Sequence, residues 1–256
     1  MDSIFFLIYI FVFIFGVCIG SFLNCVIYRL EQKRKITGRS FCPNCKHKLS
    51  WIDLFPVFSF LCLGGKCRYC RNKISIQYPL AELATGALFI LLFNYQNILQ
   101  SVFYWIIASF LIILFIYDLK HYLIPDMVLF PAIAITLIYN LISPYSITKF
   151  WLVFFAIIIA SGFFLVIFLA SKGKWMGFGD VKLAILMGLL LGLPNVLVAL
   201  FLAFFFGAII GVILMIFGKK GLKSEIPFGP FLIAGTFLAI LWGPEIINWY
   251  LKLFQV

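Results

Sequence analysis

The chain has 256 residues, 64% of them hydrophobic and only 11% charged, with a formal net charge of +11. A soluble domain of that size is nearer half apolar and about a quarter charged, so the apolar surplus excludes an ordinary water-soluble globule and makes lipid the natural solvent. The basic excess leaves nucleic acid and an anionic membrane surface as partners, and the placement of the charges decides between them.

Ser3 to Tyr28 is a charge-free apolar run, long enough to cross a hydrocarbon core of about 30 Å. A cleaved signal peptide carries Lys or Arg before a shorter run; Asp2 stands there instead, so the run reads as a retained first span. Seven further spans follow, near residues 78–95, 101–118, 127–143, 150–171, 180–193, 195–217 and 228–247, the first lying near 4–28. Turn chemistry separates them: Asn94 to Gln100, Pro125, Ser143-Pro144, Gly173 to Gly179, Leu193-Pro194-Asn195, Gly218 to Gly221 and Pro227 to Pro230. No internal repeat is visible. The expected fold is an all-α polytopic membrane protein of about eight transmembrane helices, with a small insert between spans 1 and 2. Three regions result: a first span (1–30), an insert (31–77) and a transmembrane domain (78–256).

Orientation follows from the basic residues. The insert and the loops near 119–126, 172–182 and 218–225, with Arg29, hold 18 of the 20 Lys and Arg residues, and only Lys149 and Lys252 lie on the other side. Lys and Arg mark the cytosolic face, so these segments are expected in the cytosol and both termini outside. The same asymmetry argues against nucleic acid, and membrane lipid headgroups become the expected partner of the basic face.

The insert, too small to bury an adequate core, contains Cys42-Pro-Asn-Cys45 and Cys67-Arg-Tyr-Cys70. Paired Cys-x-x-Cys knuckles read as a tetrahedral zinc site, and a disulfide is disfavoured in a reducing cytosol. Four protein ligands leave no open position, so the zinc expected at Cys42, Cys45, Cys67 and Cys70 is structural. His47, beside the first knuckle, reads as a solvated loop residue or a substitute ligand. Cys18, Cys25 and Cys62 read as small apolar residues.

Nine acids occur. Asp2, Glu31, Asp53, Glu225 and Glu245 read as solvated or headgroup-level charges, and Asp126, after Ile124-Pro125, as a helix N-cap. Asp118 ends the third span, where an anion opposes the helix dipole. Asp180, in Gly177-Phe-Gly-Asp180, opens the sixth span, where an N-cap reading competes with a functional one and the two glycines would permit close approach to a substrate strand. Counting passes of the chain puts both carboxylates at one depth on the cytosolic face. Two acids that meet share a proton; one can activate water while the other hydrogen-bonds a scissile carbonyl. Asp118 and Asp180 are therefore the expected catalytic pair. With His47 and His121 as the only histidines, no Ser or Cys nucleophile has an obvious partner.

These residues resemble the bacterial prepilin peptidases, or type IV leader peptidases, over nearly the whole chain. Gly20 to Leu30 (GSFLNCVIYRL) is similar to the family's GSFLNVVIYRLP signature. LCLGGKC (61–67) resembles part of its zinc domain, and YPLAE (78–82) its YPLVE. DLKHYLIPD (118–126) resembles its first aspartate motif, GFGDVK (177–182) its GxGD motif, and IPFGP (226–230) a further signature. The resemblance implies catalysis by Asp118 and Asp180 and zinc ligation by the four thiols. It implies leader removal from type IV pilin-like precursors at the cytosolic face of a bacterial inner membrane. It also implies N-methylation of the new amine by S-adenosylmethionine, with Gly64 and Gly65 as candidate cofactor-binding residues or a tight turn. Glu82 is a candidate for holding the substrate amine or for a structural ion pair. Glu31, Gln77 and Asp53 depart from the usual proline, arginine and glutamate. The competing functions are a transporter or channel with a zinc-stabilised cytosolic domain, and a presenilin-type protease acting on other membrane helices.

Overall fold

A computed structural model describes residues 2–142, 147–217 and 226–253. The turns expected at Ser143-Pro144 and at Gly218 to Gly221, the acid Glu225, and the side chains of Asp2 and Lys149 lie outside the described residues. Among the described residues the regular structure is all-helical apart from two isolated bridges. In order the chain forms α1 (Asp2–Glu31), α2 (Phe58–Cys62), α3 (Gln77–Leu91), α4 (Ile98–His121), α5 (Asp126–Ile142), α6 (Ile147–Ser171), α7 (Phe178–Leu191), α8 (Asn195–Ile216) and α9 (Gly229–Lys252).

All but α2 fall on the eight apolar segments. Five of them, α1, α4, α6, α8 and α9, are long and apolar enough to cross a membrane. The others have 15, 17 and 14 residues (α3, α5 and α7), short of the about 20 that a straight crossing takes. Helix ends have local causes. Asn97 caps α4, its Oδ1 accepting the Gln100 N–H at 3.0 Å. The last helix continues through Pro244 to Lys252 and outruns the expected end at 247, since a proline within an apolar helix is tolerated in lipid.

The chain divides into two compact units, Met1–Ile113 and Leu114–Val256, the division falling inside α4. In the first, α1 packs on α3 through glycines. A Cβ on Gly16 would stand 2.8 Å from Gly86 Cα, and one on Gly20 2.7 Å from Glu82 Cα. Small residues at such spacing let helix backbones meet and gain dispersion contacts in a medium with no hydrophobic drive. In the second unit α7 is the centre, packed against α5, α6, α8 and α9. Leu183, Ala184, Leu186 and Met187 have no exposure. Its Gly188 admits the α6 backbone, where a Cβ would stand 2.7 Å from Ile157 Cα. The short, Gly- and Leu-rich composition of this segment is that of a helix enclosed by other helices. Meanwhile α6 and α8 expose Phe154, Ile158, Phe201 and Phe205. Apolar surface on that scale marks a lipid-facing exterior, and with five spans the chain is a multi-pass membrane protein.

Candidate active site and metal centre

The sequence around Asp118 builds an abrupt helix end. Tyr122 adopts the left-handed conformation (φ +57°) and its N–H closes on the Asp118 carbonyl at 2.9 Å, the αL stop that usually employs glycine. The chain then turns back through Leu123, Ile124 and Pro125, and Pro125 accepts from Val128 and Leu129 to start α5. Asp118 is left buried, 4% exposed, and its carboxylate accepts the backbone N–H of Gly229 at the start of α9.

Asp180 is not an N-cap. Gly177 takes that position, with no side-chain cap bond, and Asp180 is the third residue of α7, 8% exposed. Asp118 and Asp180 lie within electrostatic reach of each other, so three helices, α4, α7 and α9, bring two acids and a backbone donor to one place inside the second unit. Ile124 is the wedge between them: a Cβ on Gly179 would stand 3.0 Å from its Cβ, and one on Gly229 3.4 Å from its Cδ1. The missing side chain of Gly179 makes room for Ile124. Gly229 is tighter still, because a Cβ there would overlap Asp118 Oδ2.

Asp126 is the first residue of α5 rather than the expected N-cap, and its carboxylate engages a distant partner. Lys182 Nζ reaches both its oxygens, at 2.7 and 2.8 Å, and sits over the Phe130 and Phe178 rings at 5.4 and 5.3 Å. This pair joins the first aspartate motif to the GxGD motif and fixes α7 against α5. His121 packs against Tyr117, ring centres 4.6 Å apart and planes tilted by 42°.

The insert has two near-identical knuckles. Cys42 N–H donates to His47 O and Lys46 N–H to Cys42 O; Cys67 N–H donates to Asn72 O and Arg71 N–H to Cys67 O. Lys46 and Arg71 occupy equivalent left-handed positions, φ +59° and +58°. Their thiols converge: all four sulfurs lie within 4.8 Å of one another, Cys42 and Cys70 at 3.9 Å. Tetrahedral zinc with bonds of about 2.3 Å sets its sulfurs ~3.8 Å apart, so the donor set fits that ion. Four thiols this close cannot all ionise unaided. Cys70 is held down at about 7, first by the Asn72 backbone N–H and then by neighbouring thiols. The His47 backbone N–H pulls Cys45 down, but burial and the Cys42 and Cys70 thiols outweigh it and push Cys45 up to about 11. A divalent cation would relieve that conflict. His47 packs against Tyr69, ring centres 3.7 Å apart and planes tilted by 31°.

Asp53 is not a solvated charge. Its side chain is 4% exposed and accepts from Ser50 N–H and Oγ–H, Tyr69 O–H and Arg68 Nε, at 2.8 to 3.1 Å. Burial pushes its carboxyl up, but the bonds from Ser50, Tyr69 and Arg68 outweigh it and hold the group below the ordinary carboxylate range. Being depressed on folding, it contributes stability above the unfolded value of about pH 4 that is lost as pH falls through the lower, folded value. Glu82 is buried and accepts the Val57 N–H at 2.7 Å, tying α3 to the insert. Gly64 and Gly65 both have positive φ, +57° and +68°, and close the turn before the second knuckle. A Cβ on Gly65 would meet Phe60 at 3.1 Å, while Gly64 faces open space.

Comparison with known proteins covers both units. The Bacterial Peptidase A24 N-terminal domain matches residues 14–95, and the Type IV leader peptidase family matches residues 105–212. Proteins named prepilin leader peptidase/N-methyltransferase are similar along nearly their full length. That of Bacillus subtilis (strain 168) is 33% identical, over 94% of this chain and 97% of its own. That of Legionella pneumophila is 32% identical, over 95% and 94%, and that of Aeromonas salmonicida 31% identical, over 94% and 93%. No solved structure matches significantly. With both family domains in order and relatives this similar from end to end, the chain belongs to the type IV leader peptidase family.

Proposed function

We propose that this enzyme removes the leader from type IV pilin-like precursors with Asp118 and Asp180 and then methylates the amine it exposes, S-adenosylmethionine being the methyl donor. The observation that carries the peptidase half is the meeting of the two buried acids with the Gly229 N–H. Asp118, held as an acceptor by that N–H, is the base: it takes a proton from water as the water oxygen adds to the scissile carbonyl. Asp180 donates a hydrogen bond to the carbonyl oxygen as charge develops there. The proton on Asp118 then passes to the departing nitrogen, and the C–N bond breaks. Such positioned acid–base pairs are worth about 10²–10⁴-fold in rate for each group.

The eight apolar helices all traverse the bilayer in this reading, the short α3, α5 and α7 crossing as parts of a bundle. The insert and the aspartates face the cytosol of a bacterial inner membrane, a reading supported by the 18 basic residues that fall on that side. Cys42, Cys45, Cys67 and Cys70 hold a structural zinc that ties the knuckles together. Gly64 and Gly65 shape the turn that presents the second knuckle, which is how they would serve a cofactor nearby. Mass spectrometry of a pilin-like precursor incubated with the protein and S-adenosylmethionine tests both halves: loss of the leader and a gain of one methyl group are expected, and an unaltered precursor rejects the reading.

Gly229→Ala offers a sharper check on the site. The added methyl group must displace the Asp118 carboxylate, and misplacement by about 1 Å costs on the order of 10²-fold. Cleavage is expected to fall by that factor at an unchanged level of membrane-inserted protein. Wild-type cleavage by this variant would separate Gly229 from the chemistry.

A further inference from the structure

The first unit contains a cavity of about 190 Å³ between α1, the insert and the start of α3. Its polar lining includes Ser21, Asn24, Arg29, Asp53, Arg68 and Glu82, and Cys42 and Cys67 of the thiol cluster form part of its wall. Most of that charge is already engaged. Arg68 Nε meets Asp53 at 2.8 Å, and the Arg29 guanidinium donates to the carbonyls of Ile36, Gly38 and Arg39. Two groups are left with unused capacity. Asn24 is 5% exposed, and its Nδ2 donates to Tyr78 O at 3.0 Å. That bond fixes which way the amide points, and it leaves Oδ1 buried without a hydrogen-bond partner among the described residues. Glu82, 7% exposed, accepts from Val57 N–H and from Ser21 but meets no cation among the described residues. A buried orphan acceptor and a buried acid without a counter-charge are both costly to maintain, and they face the same space.

We propose that this cavity binds an organic cation carried on an apolar body, with Glu82 supplying the opposing charge and Asn24 Oδ1 receiving the cation's polarised N–H or C–H groups. The inference rests on the reading of the chain as an N-methyltransferase, a reaction with two cations of this description: the sulfonium of the methyl donor and the ammonium of a peptide N-terminus. The cavity is smaller than the roughly 300–1,000 Å³ of sites that enclose drug-sized ligands. It therefore takes one end of either molecule, and its walls, including Tyr28, Phe41 and Phe60, suit the apolar part next to the charge. Substrate recognition for methyl transfer is thus assigned to α1, α3 and the insert, whereas the proposed peptidase acids belong to the second unit.

The test uses the zinc-loaded full-length protein in lipid nanodiscs and four probes. These are S-adenosylmethionine, its neutral product S-adenosylhomocysteine, and a short apolar peptide with either a free or an acetylated N-terminus. At least one cationic probe is expected to bind the wild type ~10-fold or more tightly than its neutral counterpart, a difference read directly from the dissociation constants. Asn24→Leu and Glu82→Gln should each abolish that preference while zinc content and the protease resistance of the insert stay at the wild-type level, which excludes misfolding of the first unit as the cause. Loss confined to S-adenosylmethionine identifies the sulfonium as the occupant; loss confined to the free peptide identifies the amine. Equal binding of charged and neutral probes by the wild type overturns the proposal without recourse to any variant. So does unchanged preference in both variants. If the wild type discriminates as expected yet transfers no methyl group to a cleaved precursor, the cavity assignment stands and the methyltransferase reading falls.

Discussion

Asp118→Asn and Asp180→Asn are each expected to lower precursor cleavage by about 10³-fold, within the range for losing one positioned acid or base. The substitution keeps the shape of the side chain and removes only its ability to exchange a proton. An amide oxygen at position 118 still accepts the Gly229 N–H, so the link between Asp118 and the start of α9 should survive. Replacing a buried charge by a neutral group of the same volume is often neutral or stabilising for the fold, so thermal stability should hold or rise as activity disappears. That opposition separates a chemical role from a structural one. Because the acids act as a unit, the double variant should be little slower than either single one. Methylation of a precursor whose leader has already been removed should continue in both, since Asn24 and Glu82 lie in the other unit. Gel-resolved cleavage over long incubations, alongside that methylation assay, measures all of this. Cleavage by either variant within tenfold of wild type would remove the assigned pair.

What the sequence made legible is what depends on counting and local chemistry. Helix order and the turn residues between helices lead one to expect Asp118 and Asp180 at one depth, and the structure puts them within electrostatic reach of each other. The Cys-x-x-Cys spacing likewise foreshadows a cluster whose sulfurs lie within 4.8 Å. Residues whose behaviour depends on a distant partner were not legible. Asp126 has a sufficient local explanation as a helix start, and nothing near it announces Lys182, 56 residues later. Asp53 looks like a loop acid until the knuckle delivers Arg68 and Tyr69 to it. Asn24 lies in an apolar span and gave no sign of its own, although a polar amide in a membrane helix is reason for suspicion. The glycines were legible only in part. Gly179 reads as backbone freedom, and its missing side chain also makes room for Ile124, which only the packing of α7 beside the 122–125 loop reveals. Helix lengths were overestimated for α3, because the apolar run continues through Leu92 and Phe93 after the helix has ended at Leu91.

Removing one thiol is expected to have the second large effect, on the insert. Between residues 32 and 76 the only buried apolar residues are Cys42 and Cys67, each 6% exposed. The segment has no apolar core of its own, so the sulfur cluster takes the place of one. Structural zinc in isolated finger peptides contributes about 10–16 kcal/mol of apparent binding free energy, far more than the hydrogen bonds around Asp53 could replace. Cys67→Ser should therefore reduce bound zinc from about one ion per chain to a small fraction and make the stretch between the knuckles sensitive to protease. Methyl transfer should be lost with it, because Phe41, Asp53 and Arg68 line the cavity from the insert side. Leader cleavage should fall much less, as Asp118, Asp180 and Gly229 all lie in the second unit. Metal analysis, limited proteolysis and the two activity assays on one preparation distinguish the outcomes. An unchanged zinc content after Cys67→Ser would reject the metal site. Full methyl transfer by a zinc-free, protease-sensitive protein would instead detach the insert from the methylation chemistry, since no ordered wall would then remain on that side of the cavity.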